Sequence, residues 1–322
     1  MKRSFCLGTM VVAAFLFTTN AEDGAKARMR IIPGQVIVPK EEAMRRIWGE
    51  LVSVDLATRT GTFRKESTEE VMSFRVLPYA ELLHHATFGD LQDFRVGERA
   101  IFRMHENDAG EWAWLTYIQD EMNMMNGHKE YFFVDSIDRE RSQITVTQAN
   151  LDKSYVRQKE IQIATDAETR FWKKGERANF DDIEVGMNLR TKTHGVGKGR
   201  VRMCWEVFLD DESLLKFQNE QKTVHSKRLR EEGAPGYVDV VRGSEVQVTL
   251  FQEAVEVSRQ VKEGQRVRVA VAGVDRRALG NQLNGRVITA SMAGPLGKVN
   301  VEVDHTETGL QAANIVRLWI AE

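Results

Sequence analysis

Cysteine and proline are scarce in this chain of 322 residues, which has two cysteines and five prolines. Cys6 lies in the expected signal peptide described below, so Cys204 would be alone in the mature chain and no internal disulfide could form. A catalytic thiol would need a nearby base, and the sequence offers none, so we expect Cys204 to be buried and unreactive. Few prolines and frequent alternation of Val, Ile and Thr are typical of compact β modules.

Motifs of known catalytic types are also missing. The sequence has no Gly-x-Ser-x-Gly elbow, no His-Glu-x-x-His pair and no dinucleotide fingerprint. The acid pairs Asp181-Asp182 and Asp210-Asp211 fall at expected turns and a helix cap, where aspartate has a structural role. We therefore expect a protein that is not an enzyme, with no catalytic residues and no required cofactor.

A long apolar run occurs only at the start of the chain. Lys2 and Arg3 precede an apolar stretch over residues 5–17, and small residues follow up to Ala21. This pattern predicts a signal peptide over residues 1–21, because the stretch is shorter than the ~20 residues that a spanning helix needs. We expect cleavage near Ala21, a periplasmic or secreted location, and no transmembrane segment in the mature chain.

An excess of positive charge is absent as well. Asp and Glu number 47 against 45 Lys and Arg. This balance argues against a protein that binds nucleic acid over its whole surface, so we do not expect a nucleic-acid partner. A local basic patch is still compatible with this overall balance of charge.

One phrase occurs twice, over residues 91–97 and 180–186. Each copy places Asp before an apolar residue, ends in Val-Gly and leads into a strand-like run. The copies stay in register, since His105 and His194 each lie eight residues beyond the glycine. Duplication of this kind predicts two similar modules in tandem.

The alternation of apolar and polar residues predicts a mainly β fold. Residues 22–47 are expected to form an extended lead-in, and residues 48–120 and 131–210 each predict about five short strands with one longer excursion. That pattern is typical of a small five-stranded OB-like barrel, whose closure removes exposed sheet edges. Residues 211–233 predict a linking helix, and residues 237–322 a β-rich C-terminal domain, with a third barrel copy left open.

The two modules, over residues 48–120 and 131–210, resemble exported bacterial small-barrel modules of unknown function. The shared pattern is an opening strand that ends in Asp55 or Asp138, a hairpin, and a Val-Gly step into a later strand. The resemblance implies an all-β module outside the cytoplasm and carries over no catalytic residue. Periplasmic copper carriers also use small barrels of this type.

Copper is therefore an alternative ligand, at the connection between the modules. Thioethers and an imidazole are soft ligands that suit Cu(I), and this connection contains Met122, Met124, Met125 and His128. The competing interpretation is that these methionines pack as Leu214 and Leu215 do at the corresponding place after the second module.

A second alternative ligand is a polyanion, bound by the most basic hairpin of the sequence. Its candidate residues are Arg190, Lys192, Lys198, Arg200 and Arg202. Glycines among these cations can hold phosphates, but the hairpin lacks the phosphate-loop spacing, and a solvated charged tip is the competing interpretation.

Two adjacent histidines, His84 and His85, are also considered as metal ligands. Neighbouring side chains on a strand point to opposite faces, so the pair could share one ion only from a loop or helix. Taken together, the sequence predicts a binding or scaffold protein that recognises a protein or a cell-envelope component.

Overall fold

The computed structural model describes residues 31–32, 35–36, 44–107, 109–195, 201–272, 278–305 and 308–321. The expected signal peptide and most of the lead-in lie outside these ranges. Within the lead-in, β1 (Ile31–Ile32) and β2 (Gln35–Val36) form a short antiparallel pair. The remaining described chain is mainly β, and it forms three closed barrels and a helix of 21 residues.

The first barrel is built from five main strands and one short extra strand. They are β3 (Met44–Asp55), β4 (Thr60–Lys65), β5 (Val71–His84), β6 (Thr87–Phe88), β7 (Arg99–Glu106) and β8 (Trp112–Asp120). Strand β3 pairs antiparallel with β4 and β7, and a parallel pairing of β5 with β8 closes the barrel. Its core contains Phe63 stacked on Phe102, with ring centroids 4.0 Å apart.

The second barrel repeats this strand order. After α1 (Glu121–Gly127) come β9 (Glu130–Asp138), β10 (Gln143–Asn150), β11 (Val156–Ala164), β12 (Arg170–Lys173), β13 (Glu176–Ala178), β14 (Asn188–His194) and β15 (Arg202–Phe208). A parallel pairing of β11 with β15 again closes the barrel. The hairpin of β12 and β13 adds to β15 and forms the longer excursion of this copy. Tandem five-stranded barrels are thus confirmed.

Helix α2 (Asp211–Glu231) follows the second barrel and leads to the third. The Asp210 carboxylate accepts a hydrogen bond of 2.7 Å from the Ser213 amide, which caps the first turn. Acidic residues in the first turn and Arg228 and Arg230 in the last complement the helix dipole. In the part of the chain that the structure describes, no helix has both the length and the apolar character needed to cross a bilayer.

The third barrel has six strands, and all of its pairings are antiparallel. Its elements are β16 (Ala234–Arg242), β17 (Glu245–Leu250), α3 (Val255–Ser258), β18 (Arg266–Ala272), β19 (Ala278–Ala293), β20 (Leu296–Val303) and β21 (Ile315–Ile320). The order around the barrel is β16, β17, β20, β19, β18 and β21. Because its described residues form a sixth strand and no parallel pair, this domain is not a third copy of the five-stranded module.

The repeated phrase has the same structure in both five-stranded barrels. Each copy begins with a 3-10 turn, at Leu91–Asp93 and at Phe180–Asp182, and each glycine has a positive φ, +91° at Gly97 and +89° at Gly186. The two glycine amides donate hydrogen bonds of 2.7 and 2.8 Å to the first strand of their own barrel. The phrase therefore fastens the fourth strand of each barrel to the first.

Replacing either repeated glycine with alanine is expected to destabilise the protein by about 1–2 kcal/mol, because a side chain is strained at this φ. Gly97→Ala and Gly186→Ala should lose similar amounts of stability, because neither added Cβ clashes with a neighbour. A Cβ at 97 would lie 3.5 Å from Trp205, an ordinary contact distance, and one at 186 meets nothing within 4 Å. The control is Gly127→Ala, where helix α1 ends and a Cβ also meets nothing, which should be neutral or stabilising. Urea denaturation measures all three, and unchanged stability in both phrase variants would contradict the expectation.

Candidate functional site

The methionines of the connection lie in two different hydrophobic clusters. Met124 and Met125 pack in the core of the second barrel, whereas Met122 packs with Phe208 and Leu214 under helix α2. All three are buried, and His128 is exposed at the end of α1. The structure therefore does not bring the four candidate copper ligands to one place, and the methionines lie where apolar side chains pack.

The candidate residues of the basic hairpin are buried where the structure describes them. Arg190, Lys192 and Arg202 are 5%, 2% and 6% exposed. The expectation of solvated charges is wrong for these three, because their strands face the first barrel and the start of α2. Arg190, for example, pairs with Asp211 and lies over the Tyr131 ring. Lys198 and Arg200 lie outside the described residues.

Lys192 enters a buried cluster of acids and histidines at the contact between the first two barrels. Its Nζ lies 2.8 Å from Oε1 of Glu98 and 3.6 Å from Oδ2 of Asp120, both in the first barrel. The same Nζ lies 2.5 Å from Nε2 of His84. Nearby, His85 contacts Glu206 of the second barrel at 3.2 Å. These side chains form an ion-pair network that joins the two barrels.

The two histidines meet because the chain turns at the end of β5. His85 and Ala86 have φ values of +49° and +63°, so the strand alternation stops at His84 and the two imidazole centroids lie 4.1 Å apart. His84, His85 and Asp120 thereby form a group with metal-type ligands. The ammonium of Lys192 also lies 3.5 Å from Nε2 of His85, so a cation already occupies the centre of this group. The residues therefore fit a protein ammonium better than a metal ion.

Burial and mutual charge shift the pKa values in this network. Burial raises the pKa of Glu98 to about 7, with Asp120 adding to the rise and Lys192 opposing it. Burial also lowers the pKa of His84 well below its usual range, assisted by the Lys192 charge. Burial works against the charged form of Glu206, but the hydrogen bond from His85 and the Lys192 charge outweigh it and lower its pKa to about 2. At neutral pH, His84 is therefore neutral and Glu206 is ionised.

An open cleft of about 1300 Å³ lies beside this network, between the same two barrels. It is larger than a typical small-molecule pocket of about 300–1,000 Å³, so it suits an extended partner. Basic side chains dominate its charged lining: Arg45, Arg46, Lys65, Arg99, Arg157 and Arg202. Two tryptophans lie beneath arginines there, Trp48 at 3.7 Å from Arg99 and Trp112 at 4.5 Å from Arg45.

The floor of the cleft contains two arginines that share one buried carboxylate. Nη1 of Arg99 donates a hydrogen bond of 2.9 Å to Oε1 of Glu121, and Nη1 of Arg202 lies 3.7 Å from the same oxygen. The other Glu121 oxygen accepts hydrogen bonds of 3.0 and 2.6 Å from the amide and hydroxyl of Thr193. Nη1 of Arg202 is buried and has no hydrogen-bond acceptor among the described residues. Burial and the nearby Arg99 charge lower the Arg202 pKa.

Sequence reasoning missed the acids that pair with Lys192 in the buried network and with the two arginines at the cleft floor. Glu98 directly follows the repeated Val-Gly, where the second copy has Met187, and this difference between copies marks a position with a special role. Asp120 and Glu121 match Asp211 and Glu212 in the repeat, so their type carries no such signal. Cys204 is buried as expected, and burial raises its pKa above the usual range.

No protein-family model and no curated protein matches this chain. Among solved structures, a luciferin-regenerating enzyme is 13% identical, with 85% of this chain and 91% of that chain covered and a TM-score of 0.12. At that TM-score the likeness carries no argument about fold or function.

Replacing Lys192 with methionine is expected to lower the free energy of unfolding by about 3–5 kcal/mol, because it leaves buried carboxylates without their cation. The matched control is Lys222→Met on the exposed face of α2, which should change stability by less than about 0.5 kcal/mol. Urea denaturation followed by tryptophan fluorescence compares the two variants. Equal stability of the two would show that the cluster does not depend on the ammonium.

The pH dependence of stability should separate Glu98 from His84. The pKa of Glu98 in the folded protein is about 7, above its ordinary 4.5. Its contribution to the free energy of unfolding therefore falls as pH rises from 4.5 to 7. The pKa of His84 in the folded protein lies below its ordinary 6.5. Its contribution to the free energy of unfolding therefore rises as pH approaches 6.5. The two trends oppose each other in the natural protein.

Each single variant removes one titrating group, so its pH dependence of stability, compared with that of the natural protein, should show the trend of the other group. His84→Gln should become less stable as pH rises through this range, and Glu98→Gln should become more stable. Thermal melting between about pH 4.5 and 7 measures both slopes, within the range set by the ordinary and folded pKa values. Parallel curves for the two variants would contradict the protonation states assigned to Glu98 and His84. Lys192 and Asp120 face both groups, and His85 also faces His84.

Proposed function

We propose that this protein is a non-enzymatic binding protein that recognises an anionic protein or cell-envelope component in the cleft between its first two barrels. The observation that carries the proposal is the pair of buried guanidinium groups, Arg99 and Arg202, at the cleft floor. They share the Glu121 carboxylate, and one Arg202 nitrogen has no acceptor among the described residues. Buried cations are normally balanced by acids, and here two guanidinium groups draw on the same Glu121 oxygen, so negative charge brought to the cleft floor by a partner would be stabilised.

The rim of the cleft supports the same class of partner. Arg46 and Lys65 are at least partly exposed there, and they belong to neighbouring strands of the first barrel. Arg157 approaches from the second barrel, where it pairs with Glu130 at 2.7 Å. A cleft lined mainly by one sign of charge concentrates partners of the opposite sign, even when the whole protein carries a slight negative charge.

The aromatic side chains add to the recognition surface. Trp48 and Trp112 hold Arg99 and Arg45 by cation–π contact, which fixes the guanidinium groups in place before a partner arrives. Preorganised side chains lose less conformational freedom on binding, so such a site binds more tightly than flexible lysines would. The proposed location is periplasmic or secreted, on the basis of the sequence pattern at residues 1–21.

The test is binding of fluorescent poly-L-glutamate, a defined anionic polypeptide, at low salt. The double variant Arg46→Glu, Lys65→Glu should bind at least about tenfold more weakly, because it reverses two charges at the rim. Its matched control is Lys222→Glu, Lys227→Glu on α2, two exposed lysines that do not line the cleft. The control should bind as the natural protein does.

Binding should also weaken as salt is raised from about 50 to 500 mM, because screening reduces the attraction between exposed charges. No binding of poly-L-glutamate at low salt would overturn the proposal. Equal losses in the two double variants would show that the cleft is not the site.

A further inference from the structure

The protein's own Glu66 carboxylate lies at the cleft floor, next to Arg99. Glu66 lies in the turn after β4, where its amide donates a hydrogen bond of 2.9 Å to the carbonyl of Trp48. Its Oε2 accepts a hydrogen bond of 3.0 Å from Nε of Arg99. The side chain is 23% exposed, whereas Glu121 on the other side of Arg99 is fully buried. Arg99 thus has one permanent acid partner and one that is open to the cleft.

The two carboxylates differ in how firmly they are held. Glu121 contacts Arg99 and accepts two hydrogen bonds from Thr193, so its position is set by the fold. The Glu66 carboxylate contacts only Arg99 among the described residues, and it lies at a solvent-exposed turn. A charge-assisted hydrogen bond at a partly exposed site is easily exchanged for another of the same type.

Arg202 provides the second half of the site. Its side chain is 7% exposed and lines the cleft, and Nη2 donates a hydrogen bond of 3.1 Å to Oε1 of Gln158. Nη1 is left without an acceptor among the residues described. The negative charge of Glu66 acts on Arg202 as well, where it favours the charged form. A carboxylate at the position of Glu66 therefore accepts a hydrogen bond from Arg99 and acts on Arg202 through its charge.

From these contacts we propose that Arg99 and Arg202 form a carboxylate-binding subsite, which Glu66 occupies in the unbound protein and which an acidic side chain of a polypeptide partner takes over on binding. The inference rests on the proposed function and names its ligand group. A carboxylate is favoured over a phosphate because Glu66, the group that already fits, is a carboxylate. Guanidinium groups bind carboxylates through paired, directional hydrogen bonds.

Displacement of Glu66 has a measurable consequence, because the partner must compete with an internal carboxylate. Glu66→Gln replaces that carboxylate with a neutral amide and should tighten binding of poly-L-glutamate about fivefold or more, which corresponds to about 1 kcal/mol. The matched control is Glu70→Gln. Glu70 lines the same cleft and is exposed, and it forms no ion pair with any described residue. Both variants remove one negative charge, so general electrostatics predicts equal and small effects, of less than about twofold for an exposed charge.

The arginine side of the subsite is tested by Arg202→Gln and Arg202→Lys. Both should weaken poly-L-glutamate binding about tenfold, because neither retains the planar fork of donors. Circular dichroism checks that the variants fold, and Glu121 retains Arg99 and Thr193 as partners in either case. If both variants bind as the natural protein does, the subsite is overturned.

The outcomes also separate this inference from the function on which it rests. If the rim variants lose binding but Glu66→Gln and Glu70→Gln behave alike, the cleft remains the binding site and the subsite is wrong. If inorganic polyphosphate gains affinity from Glu66→Gln and poly-L-glutamate does not, the subsite prefers phosphate, and the carboxylate assignment is overturned. If the natural protein binds neither polymer at low salt, the proposed function itself fails.

Discussion

The arrangement of the first two barrels depends on one buried cation. The Lys192 ammonium belongs to the second barrel, but Glu98 and Asp120, which lie 2.8 and 3.6 Å from it, belong to the first. A buried carboxylate without a cation is strongly unfavourable, as is a buried ammonium without an acid. The charges are therefore balanced only while the barrels are together, which fixes their relative position and with it the walls of the cleft.

Similar ion pairs hold the other domains in place. Arg228 of α2 contacts both oxygens of Asp93 in the first barrel, at 2.9 and 3.1 Å. Arg59 of the first barrel contacts both oxygens of Glu253 in the C-terminal domain, at 2.5 and 2.7 Å, and lies over the Phe251 ring. Bidentate pairs are directional, so they set orientation as well as distance. The three barrels and α2 are thus connected through specific charged contacts, which add to apolar contacts such as Ile101 in the core of the second barrel and Leu229 of α2 in the core of the third.

The sequence was sufficient for the barrels and the helix because those depend on local alternation and on the repeat. It was insufficient for the site, which depends on how the modules pack. Lys192 was expected in a solvated hairpin, but its strand faces another barrel, and no pattern within the hairpin reveals that. His84 and His85 would point to opposite faces if both lay on a strand, but the positive φ of His85 at the strand end brings the rings together. Arg99 and Glu66 come close only after the barrel closes.

The two duplicated barrels contact each other through different faces. The first barrel uses the face with Glu98 and Asp120, and the second uses the face with Lys192. Arg103 in the first barrel corresponds to Lys192 in the second, but it pairs with Glu81 at 3.5 Å and remains partly exposed. An interface of this head-to-tail type leaves one unmatched face on each end module, to which a further copy can bind. Gln252 of the C-terminal domain lies 3.4 Å from Glu81, on the face of the first barrel that carries Arg103. The six-stranded barrel thereby covers part of the face at which a preceding module would dock, in the manner of the capping repeats that end a solenoid.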